Sequence, residues 1–546
     1  MQDNKNMILA IALCLAVLFG WGRLAEYMGW ITPPTQQVAQ QTGQQDGQPA
    51  PQQQAPPTPV EPEPTFVPAP GQDVSVKTPL YEAVLYSGGG ILRSFSLRLY
   101  GTGHDAGAPR VNMVSAQTAA TAPLGLVING QPSWSTGRWA PDADAGNFNL
   151  ESGGRASLRL KGEVDNLRVE REFSFSADTY LIQEKVRVKN HGTQFRGLRL
   201  GYTAAADASN SSDDRYDGMR VAWDKDGSLA EESSAKTLES SGAQDSGKIY
   251  WAGPMSTYFL AAVVPDVPVG GMTVKARLQQ HVYRAALEEP ETSLAPGEEK
   301  IFAVSYWFGP KERESLNAVS PELAKSIDLG MFSLIAKGLL WLLQIFYSWV
   351  HNWGVAIIFL TLIIKAVFWP LTAKSYSSME KMKKLQPMMN TLKEKYKDDK
   401  ERMNKEVMAL YKTYGVNPAS GCVPILIQLP VFFGLYQALL TAIELRHAPF
   451  IVHLPFTDIV WLADLSAKDP YYITPVIMGV TMFLQQKMSP PPADPMQQKI
   501  MMFLPLIFTV LFLSFPSGLV IYWLVNNILS IAQQWMMIRK NSANRA

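Results

Sequence analysis

Five apolar stretches toward the carboxyl end, residues 354–370, 421–443, 471–488, 500–515 and 517–538, contain no Asp or Glu. Such stretches belong in a bilayer, because ~20 apolar residues of helix cross a hydrocarbon core while satisfying their own backbone. Each holds a Pro or Gly or has one at its edge, which membrane helices tolerate where neighbours cover the backbone. Residues 331–350 are also apolar, but Ser333, Lys337, Gln344 and Ser348 recur at spacings that put them on one helical face. That pattern predicts an amphipathic helix lying in the interface, within a segment 326–350. A further apolar run, Met7 to Trp21, lies between Lys5 and Arg23 with no small-residue cleavage site after it. Residues 1–30 are therefore expected to form an uncleaved signal-anchor helix.

The chain is not membrane throughout, since 18% of its residues are charged and its mean hydropathy is -0.03. Residues 31–71 are rich in Gln and Pro and hold one large aromatic, Phe66. Such a segment cannot bury a core and is expected to be a disordered linker, with a reach of at most about 120 Å in polyproline form. From 72 to 325 the pattern changes to alternation, as in Leu167, Val169, Phe173 and Phe175, then Ile182, Val186 and Val188. Half-buried strands alternate in this way, and turn signals at Ser87-Gly88-Gly89-Gly90, Gly153-Gly154, Asn190-His191-Gly192 and Asp224-Lys225-Asp226-Gly227 separate them. The glycine triplet precedes a strand pattern and is a turn, not a phosphate loop. The expected fold class is thus an α-helical polytopic membrane protein, five core helices plus the anchor helix, joined to a large all-β sandwich domain.

Charge narrows the function. The totals nearly cancel, 49 basic against 48 acidic, yet residues 23–328 hold 28 basic and 36 acidic groups. An acidic aqueous part without a basic, aromatic-interleaved patch excludes direct nucleic-acid specificity. The two cysteines, Cys14 and Cys422, lie in apolar segments, and His104, His191 and His281 lack ligand spacing. No disulfide framework, metal site or cofactor is expected.

Between the spans 354–370 and 421–443, residues 371–420 carry eleven Lys or Arg and six acidic groups, so the positive-inside rule places this loop in the cytoplasm. With a cytoplasmic amino terminus, the anchor delivers the sandwich to the far side and 354–370 returns the chain. Counting 331–350 as another span would break that parity. The carboxyl terminus, with Arg539, Lys540 and Arg545, then also lies in the cytoplasm, and residues 444–470 lie outside. The basic loop reads as two helices, 373–397 and 400–414, studded with Met379, Met382, Met388, Met389, Met403 and Met408. Methionines here either pack the hairpin or offer a pliable apolar surface to varied partners.

The sharpest signal is intramembrane polarity. At ~1.5 Å per residue, Lys365 lies about 8 Å from the end of its span at Pro370, Thr361 about 14 Å, and Gln428 about 10 Å from Gly421. Gln485, Asn526, Asn527 and Ser530 fall in or near the same half. Snorkelling accounts for a lone lysine. Accompanying amides, costly against lipid, point instead to a wet concavity open to the cytoplasm.

The run "YGVNPASGCVPILIQLPVFFGLYQAL", with "ELRHAPF", "DPYYITPVIMGVTMFLQQKMSP", "DPMQQKIMMFLPLIFTVLFLSFPSGLVIYW" and "IAQQW", resembles the YidC-type bacterial membrane protein insertases, relatives of the mitochondrial and chloroplast insertases. The likeness is dense over about residues 330–540, and the anchor, linker and β-rich domain resemble the Gram-negative form. It implies an inner-membrane insertase and chaperone core at 351–540, a periplasmic super-sandwich of the sugar-mutarotase type by fold only, and no enzymatic activity. It further implies a hydrophilic groove closed outward, with one positive charge on its first helix. That charge, often Arg in the family, is Lys365 here, which keeps the charge without a bidentate fork. The family's aromatic pair on the last helix corresponds to Tyr522-Trp523. Implied partners are nascent membrane proteins, the SecYEG translocon and its accessory proteins, the ribosome or signal recognition machinery, and the lipid bilayer. Two other classes compete with this reading: a secondary transporter or channel with Lys365 at a substrate site, weakened by the lack of an inverted repeat, and an anchored carbohydrate enzyme, weakened by the lack of a clustered acid and base.

Overall fold

A computed structural model of the chain describes residues 71–103, 107–141, 146–207, 218–397, 399–416, 423–489 and 495–543. The expected anchor helix and Gln/Pro linker lie outside the described residues. The chain divides between Ile327 and Asp328 into two compact units.

The first unit is the expected β-sandwich. A nine-stranded sheet and a six-stranded sheet pack face to face, and a five-stranded sheet adjoins them. The long alternating segments form antiparallel neighbours, Arg155–Val164, Leu167–Ser176, Leu181–Asn190 and Glu299–Pro310. Their alternation is what the register requires: Leu167, Val169, Phe173 and Phe175 are buried, as are Ile182, Val186 and Val188 across the strand pair. Trp251, Trp307, Tyr202 and Tyr306 fill the interior.

Two positions interrupt both alternations, and they meet. Arg171 and Glu184 are fully buried, with Arg171 Nε donating to Glu184 Oε1 at 2.5 Å. Arg171 also donates to the Gly89 carbonyl at 2.6 Å and the Leu124 carbonyl at 2.5 Å, and the Tyr306 hydroxyl donates to Glu184 Oε2 at 2.8 Å. A buried charge is tolerated when its hydrogen bonds are filled.

The second unit is helical: α1 (Ser333–Val350), α2 (Trp353–Lys395), α3 (Lys400–Thr413), α4 (Val423–Thr441), α5 (Ile473–Met488), α6 (Pro495–Phe512) and α7 (Ser517–Ala543). Among the described residues, Ser333–Val350 and Trp353–Leu392 are long and apolar enough to cross a membrane. Sequence periodicity separated the span 354–370 from a hairpin helix starting at 373. They are instead one helix of 43 residues that contains Pro370 and Pro387. An interior proline costs a helix about 3 kcal/mol, and contacts on both sides of Pro370 oppose that cost. Lys365 and Thr372 both hydrogen-bond to α7, through Ser530 and Gln533 respectively. The helix therefore continues from its apolar half directly into its basic half.

Candidate functional site

The polar residues of α2 fall on one face because Lys365, Thr372 and Tyr376 are spaced by seven and four. Facing them, Asn526, Ser530 and Gln533 recur along α7 by four and three. Lys365, 7% exposed, donates from Nζ to Ser530 Oγ at 2.6 Å, and Ser530 donates in turn to the Asn526 carbonyl at 2.7 Å. Tyr376 hydrogen-bonds to Ser530 and to Gln485 of α5. Gln428 of α4 donates to Asn526 Oδ1 at 3.4 Å. Below this, Thr372 and Gln533 bond side chain to side chain at 2.8 Å. Four helices thus contribute to one polar seam centred on α7. Among the described residues, Lys365 has no carboxylate within ion-pair distance. An ammonium offers three donors and Ser530 accepts one.

The expected groove residues separate into distinct environments. Lys365, Gln428, Gln485 and Asn526 join the seam. Asn527 lies beside it, with Nδ2 3.4 Å from Thr481 Oγ1 on α5. Thr361 is fully buried and donates to the Ile357 carbonyl of its own helix at 2.7 Å, so its hydroxyl is spent locally. Tyr522 is buried. Trp523 belongs to an aromatic cluster with Phe432 of α4 and Phe508 and Phe512 of α6, at centroid distances of 4.8, 5.9 and 5.4 Å. Thr372, Tyr376, Thr481 and Gln533 were missed by sequence reasoning. Their spacing from Lys365 and Ser530 was the available signal, obscured because the helix was divided at Pro370.

The opposite end of the bundle is tied shut. Segment 443–470 hydrogen-bonds to the starts of α2, α5 and α7: Asn352 Nδ2 donates to the Phe450 carbonyl at 3.0 Å, and the Ser517 and Gly518 amides donate to Ala467 and Leu465 at 2.7 and 3.0 Å. Asp469, almost fully buried, accepts from Trp461 Nε1 at 2.9 Å and from the Tyr471 and Thr474 amides and the Thr474 hydroxyl. The Asp464 carboxyl lies below its ordinary range. Burial acts to raise it, and His447, with Nδ1 3.1 Å away, and the Ser466 amide and hydroxyl outweigh that burial. These contacts latch segment 443–470 across that end of the bundle.

In the basic hairpin, Leu385 and Met389 of α2 pack with Tyr411 of α3 and Val416, and Met382 packs against this cluster. Met388 and Met408 are exposed, and Met379 and Met403 are half-buried. The methionines therefore divide between packing and surface. The second helix starts where Asp399 accepts from the Arg402 amide at 2.9 Å. Asp399→Ala is expected to remove ~1 kcal/mol from this start, seen as faster amide exchange confined to the first turns of α3. Unchanged exchange there would contradict the cap.

A family model described as "60Kd inner membrane protein" matches residues 345–544, and one described as "YidC periplasmic domain" matches residues 73–342. A protein of Nitratidesulfovibrio vulgaris (strain DP4) described as "Membrane protein insertase YidC" is 54% identical over 539 residues, which cover 99% of this chain and 100% of that protein. One of Lawsonia intracellularis (strain PHE/MN1-00) with the same description is 50% identical, again over 99% and 100%. The solved structure titled "Active YidC insertase crystal structure with the first transmembrane domain resolved" is 20% identical and covers 86% of this chain and 95% of its own, with a TM-score of 0.36.

Proposed function

The chain belongs to the YidC family of membrane protein insertases, with a helical membrane core and a periplasmic β-sandwich, and from that membership we propose that the α2–α7 seam is where a client's polar tail lowers its barrier to crossing. The observation that carries this reading is a buried ammonium held by a serine hydroxyl, among amides and with no acidic partner among the described residues. A fixed positive charge without a counter-ion leaves its field available to a client. The seam opens to the cytoplasm and to lipid. A hydrophobic client segment leaves sideways, driven by burial of ~20 apolar residues in the hydrocarbon.

The topology that fits this role has both termini in the cytoplasm and the α2–α3 hairpin on the same side, since that loop carries the basic excess. Helix α1 lies along the interface outside, as parity requires. Exposed Met388 and Met408 suit first contact with clients or with ribosome and targeting factors, and lateral delivery suits work alone or beside SecYEG. No covalent chemistry is needed for any of these steps.

Photocrosslinkers at Gln428 and Gln485 are expected to capture a stalled nascent membrane protein, with far less capture at lipid-facing Val510. Equal capture at all three would overturn the seam as the path. Orientation is tested separately: Glu401→Cys should react with an impermeant thiol reagent only after the inner membrane is permeabilised. Labelling in intact spheroplasts would reverse the topology.

A further inference from the structure

We propose that the hairpin formed by Ile451–His453 and Val460–Leu462 dips its tip into the bilayer, in the leaflet where α2, α5 and α7 begin. The proposal rests on the family's membrane core, and it does not depend on the seam. The two strands pair antiparallel, Ile451 with Leu462 and His453 with Val460. Their base is built into the helical unit: Leu462 is buried, the Trp461 indole donates to Asp469, and the Phe450 ring covers Gly354, where a Cβ would lie 2.1 Å from it. The tip and the outward strand residues are the reverse. Ile451, Val452, Phe456, Ile459 and Val460 are all exposed, and Phe456 completely so.

In water this would be a poor design. A two-stranded hairpin is marginal alone, and exposed apolar strands invite aggregation. Phe456 has φ +66°, a backbone region that disfavours bulky residues, and it spends that strain on pointing a ring away from the protein. Lipid removes the contradiction, because exposed apolar groups gain free energy when they leave water.

Part of the backbone at the tip is paired, which lowers the cost of an apolar medium, where unpaired N–H and C=O groups are expensive. The Leu454 amide donates to the Ile459 carbonyl at 2.8 Å, and the Thr457 amide and hydroxyl both donate to the Leu454 carbonyl at 3.0 and 2.9 Å. The Ile459 amide donates to the Thr457 hydroxyl at 3.3 Å. Position agrees with chemistry. The hairpin leaves the same end of the bundle as exposed Tyr471 and Tyr472, the kind of residue that marks the headgroup level, and α5 continues from them with exposed Val476, Ile477 and Val480. Between Arg446 and Lys468 there is no Lys or Arg, and the tip carries one acid, Asp458. The attraction is therefore apolar and shallow, indifferent to anionic lipid.

The test uses the full chain with Cys14→Ser and Cys422→Ser, carrying a bimane on Phe456→Cys and reconstituted in phosphatidylcholine vesicles. Val480→Cys serves as the lipid-facing control and Glu401→Cys as the aqueous one. The Phe456→Cys probe should emit to the blue of the Glu401→Cys probe, lose quenching by iodide and gain quenching by shallow doxyl-phosphatidylcholine, to the same extent when anionic lipid is added. Iodide quenching at 456 with Val480→Cys shielded would overturn the proposal and leave the membrane core intact. Shielding at 456 from both quenchers would also overturn it, by showing a second copy or another protein over the tip. Iodide quenching at Val480→Cys would remove the bilayer placement of α5 and the proposal with it.

Discussion

Lys365→Glu is expected to abolish insertion of clients with acidic leading tails, while Lys365→Arg retains insertion and Lys365→Ala is intermediate and client-dependent. The ammonium is buried, bonded to Ser530 and without a carboxylate partner among the described residues, so its field is not cancelled by them. Two unit charges ~4 Å apart interact by about 4 kcal/mol at an effective dielectric of ~20, and reversing one sign turns that attraction into a repulsion of similar size. A factor of ten in rate needs only ~1.4 kcal/mol, so even a heavily screened remnant should be visible in a protease-protection assay. Arg keeps the charge, and the role proposed for it does not depend on a particular donor geometry. Attraction as the mechanism has a specific consequence: a basic client tail should partly rescue Lys365→Glu. Normal insertion of every acidic-tailed client by both the Glu and Ala variants would reduce Lys365 to a structural residue and leave Gln428, Gln485 and Asn526 as the better candidates.

Arg171→Met is expected to destabilise the β-sandwich by about 3–5 kcal/mol, the range found when one partner of a buried ion pair is removed. Three acceptors lose their donor at once: Glu184 and the Gly89 and Leu124 carbonyls. Adding Glu184→Leu removes the uncompensated charge and should recover part of the loss. Recovery stays incomplete, because two carbonyls and the Tyr306 hydroxyl remain without their partners, at ~1–3 kcal/mol for each buried unsatisfied group. Urea unfolding of the full chain, followed by tryptophan fluorescence, measures both steps through Trp251 and Trp307, which are buried in this unit. A single variant as stable as the parent would mean that the pair is already exchangeable for apolar packing.

The strand pair around Arg171 marks how far the amino-acid pattern reaches. Alternation around Leu167, Val169, Phe173 and Phe175 and around Ile182, Val186 and Val188 identifies both strands and their buried faces, and it does not single out Arg171 or Glu184. Nothing local indicates that the two positions lie diagonally across one strand pair, Arg171 opposite Val186 and Glu184 opposite Phe173, because antiparallel register is set by pairing between strands. The intramembrane residues repeat the lesson. Composition placed Lys365, Gln428, Gln485 and Asn526 at one depth, since depth follows from rise per residue. Rotation about each helix axis does not follow from it. Thr361 therefore looked like a groove residue and is bonded to its own backbone, while Trp523 lies against Phe432, Phe508 and Phe512.

The sequence by itself determined what each segment can be: long apolar runs suit a bilayer and alternating segments suit half-buried strands. These are properties of a residue and its near neighbours, governed by transfer free energy and backbone period. Only the tertiary structure decided which polar groups meet. The continuity of α2 through Pro370, the Lys365–Ser530 bond and the latching of segment 443–470 onto three helix starts all depend on contacts between residues far apart in the chain. Their energies come from packing and mutual satisfaction of donors and acceptors, which no local period encodes.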